Sequence, residues 1–381
     1  MLRLRLPIPR FFGAGEILHG KGSLSALRTL DGVDVAVVAS RSVLRHHRSE
    51  IERAVNHLKL SVLEYPGGEP NLTSVAAVAE GMSQAQPNWI IAIGGGSVLD
   101  GAKLAWILYE HPETDFEALS RPFALRQLRG RSRFVAVPTT AGTGSEVSSA
   151  AVITGDEDGR KRAIVSHELI PDIAILDPKL TVNVPRAALI AAGMDALAHS
   201  VESYVSKFSN PMADIQAEKS VEIILRLLPQ TVDDPEDMEA RLEMMVAALM
   251  AGWVQNLKVP GIGHALAHQL GLFGIAHGMA CGGLLQASVS INLRDEIVAR
   301  RYARLASSLS VSGVEGLNAV ISELKAKLEF SSSLANLSST RELSPAQTRL
   351  VFEGAHADIC ARANPVAVTD DLLAEMLERS W

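Results

Sequence analysis

Cysteine is nearly absent from this 381-residue sequence, which has only Cys281 and Cys360. Two thiols cannot build a disulfide framework, and without any CxxC spacing a structural zinc ribbon is excluded, so a reducing cytoplasm is the expected compartment. Aromatic residues are scarce as well, at 4%, which argues for a small pocket and against a bulky aromatic cage. No long run of lysine and arginine occurs, and the formal net charge is -7. Nucleic acid and anionic membranes are therefore not expected as partners, whereas small molecules are. No apolar stretch approaches the length that spans a bilayer, because the alanine-rich pieces are broken by charges or prolines. The opening, MLRLRLPIPRFF, alternates leucine with arginine and then meets prolines. It lacks the continuous apolar core of a secretory signal and reads as an edge strand.

What is present is the composition of a folded globular protein, with 47% hydrophobic and 21% charged residues. The length exceeds one average core, so two domains are expected. In the first half, VDVAVVAS from Val33, NWIIAIGGGS from Asn88, RFVAVPTT from Arg133 and IAILDP from Ile173 are continuous apolar runs ended by glycine, proline or serine. Helix-length segments separate them, which is the pattern of a parallel sheet covered on both faces. From Pro185 onward alanine, leucine, methionine and glutamate dominate and strand-like runs nearly vanish. The fold expected is an α/β dinucleotide-binding domain with a Rossmann-like parallel sheet over residues 1–184, then an all-helical metal-binding domain over 185–381.

Two loops suit phosphate. IIAIGGGSVLDGAK runs from a strand through Gly94, Gly95, Gly96 and Ser97 into a helix. Glycines let backbone amides approach phosphate oxygens, and the helix start adds free N–H groups and a positive dipole end. A tight strand-to-helix turn with no ligand would use the same glycines. VPTTAGTGSEVSS repeats the arrangement with Thr139, Thr140, Gly142, Thr143, Gly144 and Ser145, and ends of neighbouring strands are where open α/β sheets bind ligands.

Histidine is concentrated. HALAHQLGLFGIAHG holds His264, His268 and His277 in a chain with eleven histidines, and GMDALAHS spaces Asp195 and His199 four apart. Residues four apart share a helix face, so each pair could bind one ion, and His277 could return to it after a helix break. One carboxylate with imidazoles suits Fe(II) or Zn(II). A histidine on an apolar helix is also commonly a hydrogen-bonded core residue.

These motifs, together with FFGAG, DPKLT, AAGMDALAHSVESYVS and NPVAVTDDLL, occur in an order that resembles the iron-containing (group III) alcohol dehydrogenases across nearly the whole chain. The resemblance implies Asp195, His199, His264 and His277 as metal ligands and His268 as a non-ligand histidine beside substrate and nicotinamide. It implies Gly95, Gly96 and Ser97 as the pyrophosphate loop and Thr139, Thr140 and Thr143 as the second cofactor loop. We also assign Asp100 to the catalytic group and Arg162 to the cofactor-binding group. Relative to many members, one residue is missing between His268 and His277 and one is added before His264, in VQNLKVPGIGH.

The implied reaction is reversible hydride transfer between a small alcohol or aldehyde and NAD(P)(H), with the metal as Lewis acid and His268 passing the proton. The resemblance also implies a homodimer or larger homo-oligomer. At the end of the second strand, where members often carry aspartate, stand Ser40 and Arg41. NADPH is therefore expected to be accepted and slightly favoured. Asn256 and Lys258 are expected on the turn before His264, where a lysine would favour substrates with an anionic end. Two alternatives are a metal- and NAD-dependent lyase similar to dehydroquinate synthase, which would need several basic residues around its substrate, and a non-catalytic metal-binding protein.

Overall fold

The computed structural model of the protein describes residues 14–120, 124–156, 159 and 161–381. The segment MLRLRLPIPRFF, expected as an edge strand, lies outside the described residues. The chain order is β1 (Glu16–His19), β2 (Asp34–Ser40), α1 (Arg41–Ala54), β3 (Lys59–Tyr65), α2 (Leu72–Ala85), β4 (Trp89–Gly94), α3 (Gly96–Glu110) and β5 (Arg133–Pro138). A hairpin of β6 (Ala150–Thr154) and β7 (Lys161–Val165) follows, then β8 (Ile173–Leu176). The helical half comprises α4 (Arg186–Tyr204), α5 (Pro211–Asp233), α6 (Met238–Lys258), α7 (Ile262–Leu270), α8 (His277–Asn292), α9 (Glu296–Ser308), α10 (Gly313–Lys327), α11 (Pro345–Ala357), α12 (Ile359–Ala363) and α13 (Asp370–Ser380).

Six strands form one parallel sheet in the order β1-β8-β5-β4-β2-β3. Its residues alternate between two apolar layers. Val38, Ile90, Ala92, Phe134 and Ala136 pack on the side of α2 and α3, whereas Val35, Val37, Ile91, Ile93, Val135 and Val137 pack on the side of α1. Every residue of β4 is buried, so each face has to be apolar, and the run reads as continuous hydrophobicity without alternation. The strand order reverses between β2 and β4. The crevice beyond their carboxyl ends is the place where open α/β sheets receive ligands.

The helical half stacks α4 against α5, α6 and α8. Because α4 is covered on several sides, even its polar residues Asp195, His199, Ser200, Glu202 and Ser203 are buried. Buried polar groups need partners, and that requirement organises the site.

Candidate active site

Asp195 and His199 project from one face of α4, and His264 and His268 from α7. After α7 the chain makes a short helical turn over Gly271–Phe273, reverses at the left-handed Gly274, and enters α8 at His277. A close approach fixes this return, since a Cβ on Gly278 would lie 2.0 Å from the Ala191 carbonyl oxygen and 3.2 Å from Asp195 Cβ. Only glycine lets the start of α8 press onto α4 here, and the contact delivers His277 to Asp195.

Three imidazole nitrogens surround Asp195 Oδ1. His277 Nε2 lies at 3.5 Å, His264 Nε2 at 3.6 Å and His199 Nδ1 at 3.9 Å. These separations exceed a hydrogen bond. They approximate the spacing of about 3.4 Å between oxygen and nitrogen donors that share a tetrahedral ion at about 2.0–2.1 Å. Asp195 Oδ1, His199 Nδ1 and His264 Nε2 are buried atoms that make no hydrogen bond, a condition costing about 1–3 kcal/mol per group. A divalent cation would satisfy them together, so the donor set fits a metal.

At His199 and His277 protonation is consistent with ligation. At His264 burial is outweighed by Cys281, Asp195 and Glu202, which raise its pKa well above the ordinary histidine value, so a cation bound there displaces a proton. Burial lowers His199 to about 4 and takes His277 well below the ordinary histidine value, leaving both imidazoles neutral with lone pairs available. Burial opposes charge on Asp195, but His199, His277 and His264 outweigh it and hold the carboxyl well below its usual range.

The orientation of His264 is set by Glu202, which is 1% exposed and three residues beyond His199 on α4. Glu202 Oε2 accepts from His264 Nδ1 at 2.7 Å, and its carboxylate also accepts the N–H groups of Gly261, Gly263 and His264 at 3.2, 2.8 and 3.1 Å. Ser288 Oγ donates to it as well. A carboxylate only accepts, so His264 carries its proton on Nδ1 and leaves Nε2 free. Asp358 holds His268 in the same way, with Oδ2 at 2.7 Å from Nδ1. His268 stacks on His277 with ring centroids 4.9 Å apart.

Asp195, His199, His268 and His277 line a cleft of about 380 Å³ that the glycine loop also lines, within the size range of ligand pockets. Gly95, Gly96, Ser97, Thr140 and Thr143 line it. The start of α3 has no side-chain cap. A Cβ on Gly96 would strike Thr143 Cγ2 at 2.6 Å, so packing demands that glycine, whereas a Cβ on Gly95 would meet nothing nearer than Thr140 at 3.4 Å. Gly95 therefore keeps space open above the helix N-terminus, where a pyrophosphate fits. Lys103, fully buried, donates to the carbonyls of Ser145, Ser148 and Ala150 at 2.7–3.2 Å and anchors the second loop to α3.

Several expected residues stand elsewhere. Thr139 is buried under the loop, its N–H bonded to the Gly94 carbonyl, and does not line the cleft. Asp100 lines the cleft, but its oxygens accept from Ser145 Oγ at 2.6 Å and Val152 N at 3.0 Å. It fastens the second loop and β6 to α3, and the histidine cluster is assembled without it. Arg162 is exposed, and its neighbour Lys161 lines the cleft instead, because side chains alternate along β7. Ser40 caps α1 by accepting from Val43 N, and Arg41 forms a 2.8 Å ion pair with Glu64. Neither lines the cleft around the histidines.

Lys258 is the clearest correction. It is fully buried and donates to the Tyr204 carbonyl at 2.8 Å and to Asp214, so its charge is committed inside the helical core and reaches no substrate. Asn256 accepts from Ser149 N at 2.9 Å and donates to the Val147 carbonyl at 2.9 Å. The expected preference for an anionic substrate end loses its motive.

Reading from sequence missed Glu202, Lys103, Lys161, Asp358 and Gln255, which lines the cleft and donates its side-chain amide to the Thr143 carbonyl at 2.6 Å. Glu202 had a signal, since positions 195, 199 and 202 share a helix face. Asp358 had none, because it meets His268 across 90 positions.

Comparison with known proteins identifies the family. Residues 14–178 match the model of the iron-containing alcohol dehydrogenases, and residues 189–381 match that of the C-terminal region of the Fe-containing alcohol dehydrogenase family. The NADPH-dependent butanol dehydrogenase of Clostridium saccharobutylicum is 31% identical over 98% of this chain and 97% of its own length. The 1-propanol dehydrogenase of Citrobacter freundii is 33% identical over 95% and 97%. Among solved structures, the iron-containing alcohol dehydrogenase of Thermococcus thioreducens superposes with a TM-score of 0.90 at 30% identity, covering 97% of this chain and 99% of that one. The sulfoacetaldehyde reductase of Bifidobacterium kashiwanohense, in complex with NAD+, gives 0.87 at 27% identity over 98% of each chain. The chain belongs to the iron-containing alcohol dehydrogenase family.

Proposed function

We propose that this chain interconverts a small alcohol and its aldehyde, with NAD(P)(H) as hydride carrier and Fe(II) or Zn(II) held by Asp195, His199, His264 and His277. The carrying observation is the convergence of Asp195 Oδ1, His199 Nδ1 and His264 Nε2, all buried and unbonded, on one point. The metal supplies Lewis acidity toward an alcohol or carbonyl oxygen, and the nicotinamide carries the hydride.

The protein positions and shields. The N-terminus of α3 at Gly95–Ser97 binds the pyrophosphate, Thr140 and Thr143 flank the cofactor, and Ala188, Ala191, Ala192 and Ala276 give the cleft apolar walls that exclude water. His268 lines the cleft with Nδ1–H held by Asp358, so Nε2 is the atom that takes or returns the alcohol proton. A lyase of the dehydroquinate synthase kind is not favoured. The matched relatives are dehydrogenases, and Lys161 is the only lysine or arginine among the described lining residues.

NADPH is accepted beside NADH. Ser40 replaces a repelling acid at the end of β2, Arg41 stands next to it, and a matched relative is NADPH-dependent. The protein works in the cytoplasm, where Cys281 and Cys360 stay reduced. No helix among the described residues is long and apolar enough to cross a membrane. It works as a homo-oligomer, a reading supported by Phe208, Met212 and Ile215, which are 51–65% exposed near the start of α5.

The test is nicotinamide oxidation by a panel of small aldehydes, on protein of measured metal content. Asp195→Ala and His264→Ala lose metal and activity together, whereas His268→Ala keeps the metal and turns over slowly. Loss of metal in His268→Ala with retention in His277→Ala would overturn the ligand set.

A further inference from the structure

Gln255 lines the cleft from α6, a helix that carries neither the histidines nor the glycine loop. One turn earlier α6 and the second loop meet glycine to glycine, since a Cβ on Gly252 would lie 2.7 Å from Gly144 Cα. Asn256, the next residue, is bonded to Val147 and Ser149 of that loop, so the backbone that carries Gln255 is fixed before any ligand arrives. Gln255 Nε2 donates to the Thr143 carbonyl at 2.6 Å. This bond settles the amide, because a carbonyl takes only the nitrogen side and Oε1 is left as an acceptor. Oε1 has no hydrogen-bond partner among the described residues and is not one of the buried orphan atoms, so it opens to the cleft that Gln255 lines.

The second loop also presses on α4, where a Cβ on Gly142 would lie 2.7 Å from Ala192 Cα. Ala192 precedes Asp195 by three residues, about 5 Å along the helix axis. Gln255 and the histidine cluster therefore face one short length of cleft, the span of a chain of a few carbons. Ser145, Ser148 and Lys161, also of the cleft, are committed. Ser145 Oγ donates to Asp100, Ser148 Oγ to the Ala150 carbonyl, and Lys161 forms a 2.8 Å ion pair with Glu69. An anionic substrate end finds the lysine already paired, and a cationic one faces a metal ion. An uncharged donor suits a free amide oxygen.

We propose that Gln255 determines substrate specificity, with Oε1 accepting a hydrogen bond from a second, uncharged hydroxyl, so that short hydroxyaldehydes and the matching diols are preferred over plain aldehydes and alcohols. The inference rests on the alcohol–aldehyde interconversion proposed above and names its substrate class. Gln255 binds and orients, and none of its covalent bonds changes. A plain aldehyde leaves Oε1 without a partner once cofactor and substrate exclude water, which is how a polar pocket group discriminates.

The test compares 3-hydroxybutanal with butanal, which share a carbon chain and differ in one hydroxyl, on full-length metal-loaded protein with reduced nicotinamide cofactor. The parent gives a kcat/KM about tenfold higher for the hydroxyaldehyde, the effect of one hydrogen bond. Gln255→Met and Gln255→Leu keep a helix-forming side chain of similar size without the acceptor, and both lower the hydroxyaldehyde value about tenfold while leaving butanal unchanged. A readout without turnover is nicotinamide fluorescence of the NADH complex titrated with 1,3-butanediol or 1-butanol. The diol binds about tenfold tighter in the parent and no tighter in the variants. A parent that does not distinguish the two aldehydes overturns the proposal and leaves the proposed function standing, as do equal losses for both substrates in the variants, which would make Gln255 only a clamp on the second loop. A metal-loaded parent that oxidises reduced cofactor with no aldehyde overturns both.

Discussion

His264 Nδ1 and Glu202 Oε2, separated by 62 positions in the sequence, meet at 2.7 Å inside the helical half. The same carboxylate accepts three backbone N–H groups at the start of α7, so one residue caps the helix and aims its histidine. Glu202→Gln keeps the volume but removes the charge and adds donors where acceptors are needed. Metal affinity, measured by competition with a chelator, falls about ten- to a hundredfold, the usual effect of losing the partner of a ligating histidine. Unchanged affinity would mean that Glu202 only caps the helix.

Gly278 and Gly95 test packing against ligand access. Gly278→Ala meets the Ala191 carbonyl and pushes α8 from α4, lowering stability by about 1–3 kcal/mol and reducing bound metal, because His277 moves with α8. In Gly95→Ala the new methyl meets only Thr140 at 3.4 Å, so the melting temperature is kept while cofactor Kd rises about tenfold, or about 1.4 kcal/mol. Thermal melts and cofactor titrations of the two variants separate the roles. Equal behaviour of the variants refutes the assignment of Gly95 to ligand space.

Arg41 is held by Glu64 at 2.8 Å in an exposed pair, so an incoming 2′-phosphate competes with Glu64 for the guanidinium. Glu64→Gln releases Arg41 and raises kcat/KM for NADPH relative to NADH. Arg41→Ala lowers the NADPH value about tenfold, as expected for a charge-assisted contact weakened by solvent, and leaves NADH unchanged. A preference for NADH that is the same in the parent and both variants would refute the role of Arg41.

Glu146, 3% exposed in the second loop, has its carboxyl pushed up to about 7 by burial, which its own backbone hydrogen bond and Lys103 only partly offset. The folded state thus binds this proton more tightly than the unfolded chain. Stability from the group is present below about pH 4.5 and is lost as pH rises through about 7, by about 3 kcal/mol in total. Buried His199, lowered to about 4, acts in the opposite sense, so the quantity to measure is the stability of Glu146→Gln minus that of the parent. Urea unfolding gives a difference that grows between pH 5 and pH 8. A difference independent of pH would refute the account.

The parts of this protein that depend on nearest neighbours were determined by its sequence alone. The strand runs, the glycine loops after β4 and β5, the helical half and the two fragments that carry Asp195, His199, His264, His268 and His277 follow from periods of one strand or one helical turn. Tertiary structure decided what meets what. Lys258 reads as a solvated or substrate-facing lysine until α5 brings Asp214 against it. Arg162 reads as a cofactor contact until the register of the β6–β7 hairpin turns Lys161 to the cleft, and one residue of slip in a strand exchanges its faces. Glu202 and Asp358 acquire their roles only when helices distant in sequence pack, because burial leaves their polar atoms no water and the nearest available partner becomes the binding one.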